Sequence, residues 1–137
     1  MIHATHTLRV RYAETDPMKY VYYGNYATYF ELGRVELFRS IGMSYDEIEK
    51  RGIWLPVADY SIKYLQPAFY DEKLEIHTFL KKIPGVKIEF EYEIYNEKKV
   101  LITKAATTLF FLSSENKKII KCPDFLLELI KNNWIEE

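Results

Sequence analysis

Residues 11–34 read RYAETDPMKYVYYGNYATYFELGR, and the way this stretch is parsed decides the fold. It carries six of the chain's twelve tyrosines, at positions 12, 20, 22, 23, 26 and 29. Pro17 steers the residue before it away from helical backbone, so Asp16 is expected in an extended turn. Gly24-Asn25 punctuates again, and the spacing predicts a helix from there through about Ile41. Tyr26, Phe30, Gly33, Leu37 and Ile41 follow one another at steps of four, three, four and four, which is one helical face. Tyr29, Leu32 and Phe38 widen the apolar surface beyond a single stripe, so this helix should be mostly buried.

Outward from the helix, the pattern changes. Upstream, Leu8, Val10 and Tyr12 alternate, predicting a strand over residues 5–12 behind a frayed N-terminus. Downstream, Gly42 stands as a helix C-cap, and Ser44 to Glu47 forms a capping box for a second, short helix ending near Gly52. From Ile53 the period becomes two. VADYSIKYLQP reads as a strand bounded by Pro67. Leu74, Ile76, Thr78 and Leu80 share one face of the next strand, and Val86, Ile88, Phe90, Tyr92 and Ile94 share one face of another, with Lys87, Glu89, Glu91 and Glu93 opposite. VLITKAATTLFFL is apolar or small on both faces and belongs at the centre of a sheet. Pro84-Gly85 and Asn96 to Lys99 are hairpin turns, KKIIKC is a last short strand, and Leu126, Leu129, Ile130 and Trp134 mark a closing helix. The expected class is α+β: a strongly curved antiparallel sheet wrapped around one long helix. Few helices remain to cover the outer sheet face, so a second copy of the chain is expected to do so.

The bulk numbers exclude several functions. The chain of 137 residues suits one domain over 1–137, and 48% hydrophobic residues suit a packed core. A net charge of −1 provides no electrostatic footprint for nucleic acid or an anionic membrane. Stacking aromatics for single strands should interleave with basic residues, and only Arg11 and Lys19 lie near the tyrosines. No apolar run is long enough to span a bilayer. Cys122 is the only cysteine, so no intrachain disulfide is expected, and the N-terminal residues do not read as a signal peptide. The expected location is the cytoplasm.

The residues that remain for chemistry are carboxylates. His3, His6 and His77 are the only histidines and lack the spacing of a metal pair, so no metal and no cofactor are expected. There is no phosphate loop of the GxxxxGK[ST] or GxGxxG type and no GxSxG elbow. Most of the twenty Asp and Glu fall on wet strand faces or turns, and Glu14 and Asp46 read as structural. Asp16, in an aromatic turn just before a buried helix, is either a turn residue or a functional carboxylate. The first amides of a helix lack intrahelical acceptors and sit at the positive end of the dipole. Tyr23 and Gly24 occupy that place, and Gly24 offers no side chain to block a ligand. A carboxylate on one side of an acyl carbon and free amides on the other make a minimal set for acyl transfer to water.

The run RVRYAETDPMKYVYYGNYATYFELGRVELFR resembles the signature of hotdog-fold acyl-CoA thioesterases. It is most similar to the 4-hydroxybenzoyl-CoA thioesterase group and its Tol–Pal-associated relatives. The shared pattern is a strand, an acid-x-Asp turn (Glu14, Asp16), an apolar-aromatic pair (Val21-Tyr22), Gly24, Asn25-Tyr26, and a helix with Glu31 and Arg34. DYSIKYLQPAFYDEKLEI is similar to the family's following strand, turn and strand. The resemblance implies a hotdog fold and acyl-CoA hydrolysis. Asp16 would be the carboxylate that attacks the thioester carbonyl or activates water, and the Tyr23 backbone N–H would polarise that carbonyl. Many relatives carry histidine at position 23, and most have smaller residues than Met18, Lys19 and Tyr20 after the aspartate.

On that basis Tyr20, Tyr22, Tyr23, Gly24 and Tyr26 are expected around the acyl group, while Tyr12 and Tyr29 pack. Glu31 and Arg34 are expected to form an i,i+3 ion pair, structural if buried. Lys63, Lys81, Lys82, Lys87 and Lys104 are candidates for the phosphates of CoA. The expected partners are an acyl-CoA and further copies of the chain, as a homodimer or homotetramer. An acyl-carrier-protein thioesterase and a non-catalytic acyl-binding module are the alternatives.

Overall fold

The computed structural model describes residues 1–136. Its strands are β1 (Ile2–Arg9), β2 (Ile53–Trp54), β3 (Val57–Tyr64), β4 (Lys73–Leu80), β5 (Lys87–Tyr95), β6 (Leu101–Ser113) and β7 (Ile119–Ile120). Its helices are α1 (Tyr26–Ser40), α2 (Tyr45–Lys50) and α3 (Asp124–Asn132), with single 3₁₀ turns at Tyr12–Glu14 and Tyr23–Asn25. One seven-stranded antiparallel sheet runs β1-β4-β5-β6, with β3 and β2 along the other edge of β6 and β7 at its end. It is the hotdog arrangement: the sheet curves around α1 without closing into a barrel.

The side-chain period explains the wrap. On β4 and β5, Leu74, Ile76, Thr78, Leu80, Ile88, Phe90, Tyr92 and Ile94 are buried and alternate with a face of lysine, glutamates, His77 and Phe79. They meet the α1 face of Tyr26, Tyr29, Phe30, Leu37 and Phe38, with Phe30 against Tyr92 (4.6 Å between centroids) and Phe38 against Phe90 (5.9 Å). Gly33 sets the closeness of the helix to β4. A Cβ there would stand 2.3 Å from Thr78 Oγ1. Leu32, expected to widen the buried face, is exposed, and so is Val86, expected on the inward face of β5 but lying just before it.

Two boundaries differ from the sequence reading. β1 begins at Ile2 because all eight of its residues pair with β4, from Ile2 opposite Leu80 to Arg9 opposite Lys73. The N-terminus is therefore a sheet strand, and Tyr12 leaves it for the 3₁₀ turn. The outer sheet face is also not the apolar surface that would need a cover. It carries Glu75, Glu89, Glu91 and Glu93 with lysines, in pairs such as Lys81–Glu91 (3.3 Å) and Lys99–Glu75 (3.1 Å), and a His3–His77 pair at 2.7 Å. One apolar strip left open lies inside the curve, between α1 and β3, where Val57, Tyr60, Tyr64 and Leu65 remain exposed. β3 pairs only with β6, so its other edge is free among the described residues.

Candidate active site

Asp16 sits in a turn that its own side chain builds. Its Oδ1 accepts the N–H of Met18 (2.9 Å) and of Tyr20 (3.3 Å). The backbone closes around it, with Asp16 N–H to the Tyr20 carbonyl (2.8 Å) and Lys19 N–H to the Asp16 carbonyl (2.9 Å). Lys19 takes φ +71° to make this possible, a left-handed conformation unusual for a side-chain-bearing residue. The aspartate is thus a turn residue whose second oxygen, Oδ2, is left without a hydrogen-bond partner among the described residues. A turn role and a free carboxylate oxygen coexist.

Glu14 and Asn25 hold this turn against the helix. Glu14 accepts from the Arg11 amide (2.8 Å), the Arg11 guanidinium (3.0 Å) and the Tyr29 hydroxyl (3.0 Å). Partial burial acts to raise its pKa, but these hydrogen bonds prevail and hold the carboxyl below its usual range. Conversely, burial and the adjacent Glu14 push the Tyr29 phenol far up, so it stays a neutral donor. Asn25 Nδ2 donates to the Glu14 carbonyl (2.8 Å), which also takes the Tyr22 amide (2.8 Å). Residue 14 therefore ties the pre-turn segment to both the start and the second turn of α1.

The helix entrance is uncapped. The first i→i−3 bond is Asn25 N–H to the Tyr22 carbonyl (2.9 Å), and Asn25 occupies the position before α1 without its side chain bonding the helix amides. The Tyr23 and Gly24 N–H groups precede that bond and have no acceptor among the described residues.

Four of the six expected site residues surround one cavity of about 290 Å³: Asp16, Tyr20, Tyr23 and Tyr26. The far wall comes from the end of β3 and the segment after it, Tyr64, Leu65 and Gln66, which the sequence reading had not singled out. Tyr64 crosses to the helix entrance, its hydroxyl 3.4 Å from the Tyr23 carbonyl and its ring edge-on to Tyr26 at 5.3 Å. Tyr22 and Gly24 lie outside the cavity. The Tyr22 ring covers Gly24, where a Cβ would be 2.9 Å from Tyr22 Cε2, so the glycine makes room for a neighbouring ring. Tyr12 is exposed, and Tyr29 is buried as expected of a packing residue.

Arg34 departs from the expected ion pair. The i,i+3 pair on α1 is Glu36–Arg39, while Arg34 turns inward to the Tyr45 hydroxyl (Nε, 3.1 Å) and the Tyr92 hydroxyl (Nη1, 3.1 Å). None of the five candidate lysines lines the Asp16 cavity; Lys81, Lys82 and Lys87 pair with glutamates on the outer face. Among the described residues no group of three or more His, Cys, Asp or Glu is arranged to hold a metal ion, and no helix is long and apolar enough to cross a membrane.

Residues 10–130 match the model of the thioesterase-like superfamily. The chain belongs to this superfamily. Within it, the chain is 38% identical over 114 residues to YneP of Bacillus subtilis (strain 168), a protein named as an acyl-CoA thioesterase, covering 83% of each. It is 29% identical over 98 residues to the acyl-CoA thioester hydrolase YbgC of Escherichia coli O157:H7, covering 72% of this chain and 73% of that one. Among solved structures, the DHNA-CoA thioesterase from Staphylococcus aureus superposes with a TM-score of 0.89 at 37% identity, over 96% of this chain and 91% of that one. In this thioesterase-like chain the matched region holds the Asp16 turn, the uncapped helix start and the cavity between them.

Proposed function

We propose that this protein hydrolyses the thioester of an acyl-CoA, with Asp16 as the reacting carboxylate and the Tyr23 N–H as the donor to the thioester oxygen. The observation that carries the reading is the meeting of two unspent groups on one cavity: Asp16, with Oδ2 free, and Tyr23, at the uncapped end of the helix. The names of the YneP and YbgC relatives favour CoA as the thiol.

The chemistry follows from the geometry. The carbonyl oxygen accepts from the Tyr23 amide, which lies at the positive end of α1, so charge developing on that oxygen is stabilised. Oδ1 is committed to two amides, which orients the carboxylate and leaves Oδ2 to react. In one route Oδ2 attacks the carbonyl carbon, the C–S bond breaks, CoA leaves as thiolate, and water cleaves the acyl–aspartyl anhydride. In the other, Oδ2 takes a proton from water as the water oxygen attacks the same carbon, the C–S bond then breaks, and CoA leaves with the proton returned from Asp16. A single turnover in H₂¹⁸O tests the first: label entering Asp16 requires the anhydride, cleaved by water at its aspartyl carbon, whereas the second route labels only the acid product. Tyr20 and Tyr26 provide apolar walls, and burial raises the Tyr26 phenol pKa and keeps it neutral.

In this reading the chain works as a homodimer or a homotetramer. Support comes from the free edge of β3 and the apolar strip beside it, Val57, Tyr60, Tyr64 and Leu65, which a second copy would cover together with the open side of the cavity. Sedimentation equilibrium tests it, and a monomer mass at assay concentrations would overturn it. The activity itself is tested by thiol release from short, long and aromatic acyl-CoAs. No release from any of them would sink the hydrolase reading.

A further inference from the structure

His3 and His77 lie 74 residues apart, so no spacing along the chain marks them as a pair. The sheet makes them one. β1 and β4 pair so that Thr5 lies opposite His77 and His3 lies opposite Phe79. All four side chains emerge on the outer face, because residues i and i+2 of a strand share a face. His3 Nε2 is 2.7 Å from His77 Nδ1, and Thr5 Oγ1 is 3.5 Å from the first nitrogen and 3.4 Å from the second. Three donor atoms on two paired strands thus converge on one point, and none of them lines the Asp16 cavity.

The other nitrogen of His77 is already engaged. Nε2 lies 2.6 Å from Glu75 Oε1, and Glu75 Oε2 accepts from Lys99 Nζ at 3.1 Å. These bonds hold the Glu75 carboxyl below its usual range, so it stays an acceptor and the His77 proton belongs on Nε2. Nδ1 then carries the lone pair. A carboxylate that fixes the tautomer and the plane of an imidazole is the outer partner that metal-bound histidines have. His3 is held by its face instead: its ring stacks on Phe79, with centroids 4.4 Å apart and planes 11° apart. Burial, and then the neighbouring His77, lower the His3 pKa, so the neutral imidazole that a metal requires predominates at neutral pH. Glu93, opposite His77 on β5, draws positive charge toward the pair.

We propose that His3 Nε2 and His77 Nδ1 bind a zinc ion on the outer face of the sheet, with Thr5 Oγ1 beside it and water completing the coordination. The proposal stands apart from the thioesterase reading of Asp16. Two nitrogens bound to tetrahedral zinc lie about 3.3 Å from each other. The Thr5 oxygen already stands near that spacing from both nitrogens, and the nitrogens themselves need to part by about 0.6 Å, which a small rotation of the exposed His3 ring supplies. The proton that now lies between the rings belongs to His3 Nε2, since His77 Nδ1 holds the lone pair. It moves through solvent to His3 Nδ1, which has no partner among the described residues, so zinc meets two neutral imidazoles with no net release of a proton. Imidazole nitrogens suit zinc and do not suit magnesium, which takes oxygen ligands.

The test titrates zinc into the full chain after dialysis against EDTA, read by competition with a chromogenic chelator and by the thermal midpoint. One equivalent per chain is expected in the micromolar range, with a raised midpoint because the ion ties β1 to β4, and magnesium at the same concentration moves neither readout. His3→Gln and His77→Gln each weaken zinc binding by about 100-fold or more, and Glu75→Gln, which touches no metal, weakens it by about 10-fold. His6→Gln, whose side chain leaves β1 on the opposite face, leaves the affinity unchanged. If His77→Gln does not fold, the exposed His3 decides the matter through His3→Gln. No stoichiometric zinc, or zinc held as tightly by the histidine variants as by the wild type, overturns the proposal and reduces the pair to a hydrogen bond across the sheet.

Discussion

The two ends of α1 are built from the same backbone and finished differently. At the C-terminal end the last turn is closed: Ile41 and Met43 donate to the Phe38 carbonyl (3.1 and 3.0 Å), Gly42 donates to Arg39 (3.0 Å), and Gly42 turns the chain at φ +95°. At the N-terminal end nothing caps the first amides, although Asp16, Asn25 and Glu14 all stand nearby with side chains able to do so. Those side chains are spent on the turn instead: Asp16 on Met18 and Tyr20, Asn25 on the Glu14 carbonyl, and Glu14 on Arg11 and Tyr29. A helix end whose groups are all satisfied is a joint. An end that leaves its amides open, beside a carboxylate held so that one oxygen stays free, is arranged for a ligand.

That contrast is broken most directly at Asp16. Asn in its place keeps an Oδ1 that can accept from the Met18 and Tyr20 amides, so the turn should persist. Asp16→Asn is expected to lower kcat for acyl-CoA hydrolysis by about 10³-fold or more while the thermal midpoint stays near that of the wild type. Equal rates in the two proteins would make Asp16 a turn residue and nothing else.

The middle of the helix predicts the opposite pattern. A Cβ at Gly33 would fall 2.3 Å from Thr78 Oγ1 and 3.3 Å from Ile76 Cγ2, so Gly33→Ala forces α1 away from β4. The expected cost is about 2 kcal/mol of stability, read as a lower urea midpoint at unchanged m-value. A neutral result would mean that the Thr78 side chain rotates aside without penalty.

How much of this was legible beforehand follows from where each determinant lies. The buried face of α1, the Ser44 cap that accepts the Glu47 amide at 3.1 Å, the alternation of β5 and the turn at Asp16 are written within a few consecutive residues, and the structure has them as read. What was misread depends on distant partners. β1 starts at Ile2 because Leu80 lies opposite. Arg34 leaves Glu31 because two phenols, on α2 and β5, offer oxygens inside the curve. Tyr64 and Gln66 reach the cavity only because β3 runs past the start of α1, and no local pattern announces that crossing. Gly24 looked like an opening for a ligand, yet its space belongs to the ring two residues earlier.

Glu14 sharpens the comparison through pH. Its folded-state pKa is depressed, so its contribution is fully present above the ordinary glutamate pKa and is lost as the pH falls through the lower folded value. Glu14→Gln should therefore cost about 1–2 kcal/mol near pH 7, where Arg11 and Tyr29 lose a charged acceptor, and the gap to the wild type should narrow steadily below about pH 4.5. Urea titrations of both proteins at several pH values measure it. A gap independent of pH would mean that the shape of the residue matters and its charge does not.

The smallest effect is expected at the closed end of the helix. Gly42 has open space where a Cβ would go, with no atom within 4 Å, so a substitution there meets no steric neighbour. Its φ of +95° alone makes the site unfavourable for any other residue. Gly42→Ala should lower stability by about 1 kcal/mol, the cost of holding alanine in left-handed backbone, as measured by a thermal or urea midpoint. It should leave hydrolysis by the folded protein unchanged, because the charge balance, the turn and the cavity at the other end of α1 do not touch it. A loss of activity beyond the loss of folded protein would mean that the two ends are mechanically coupled through the helix, and that the division between joint and site drawn along α1 does not hold.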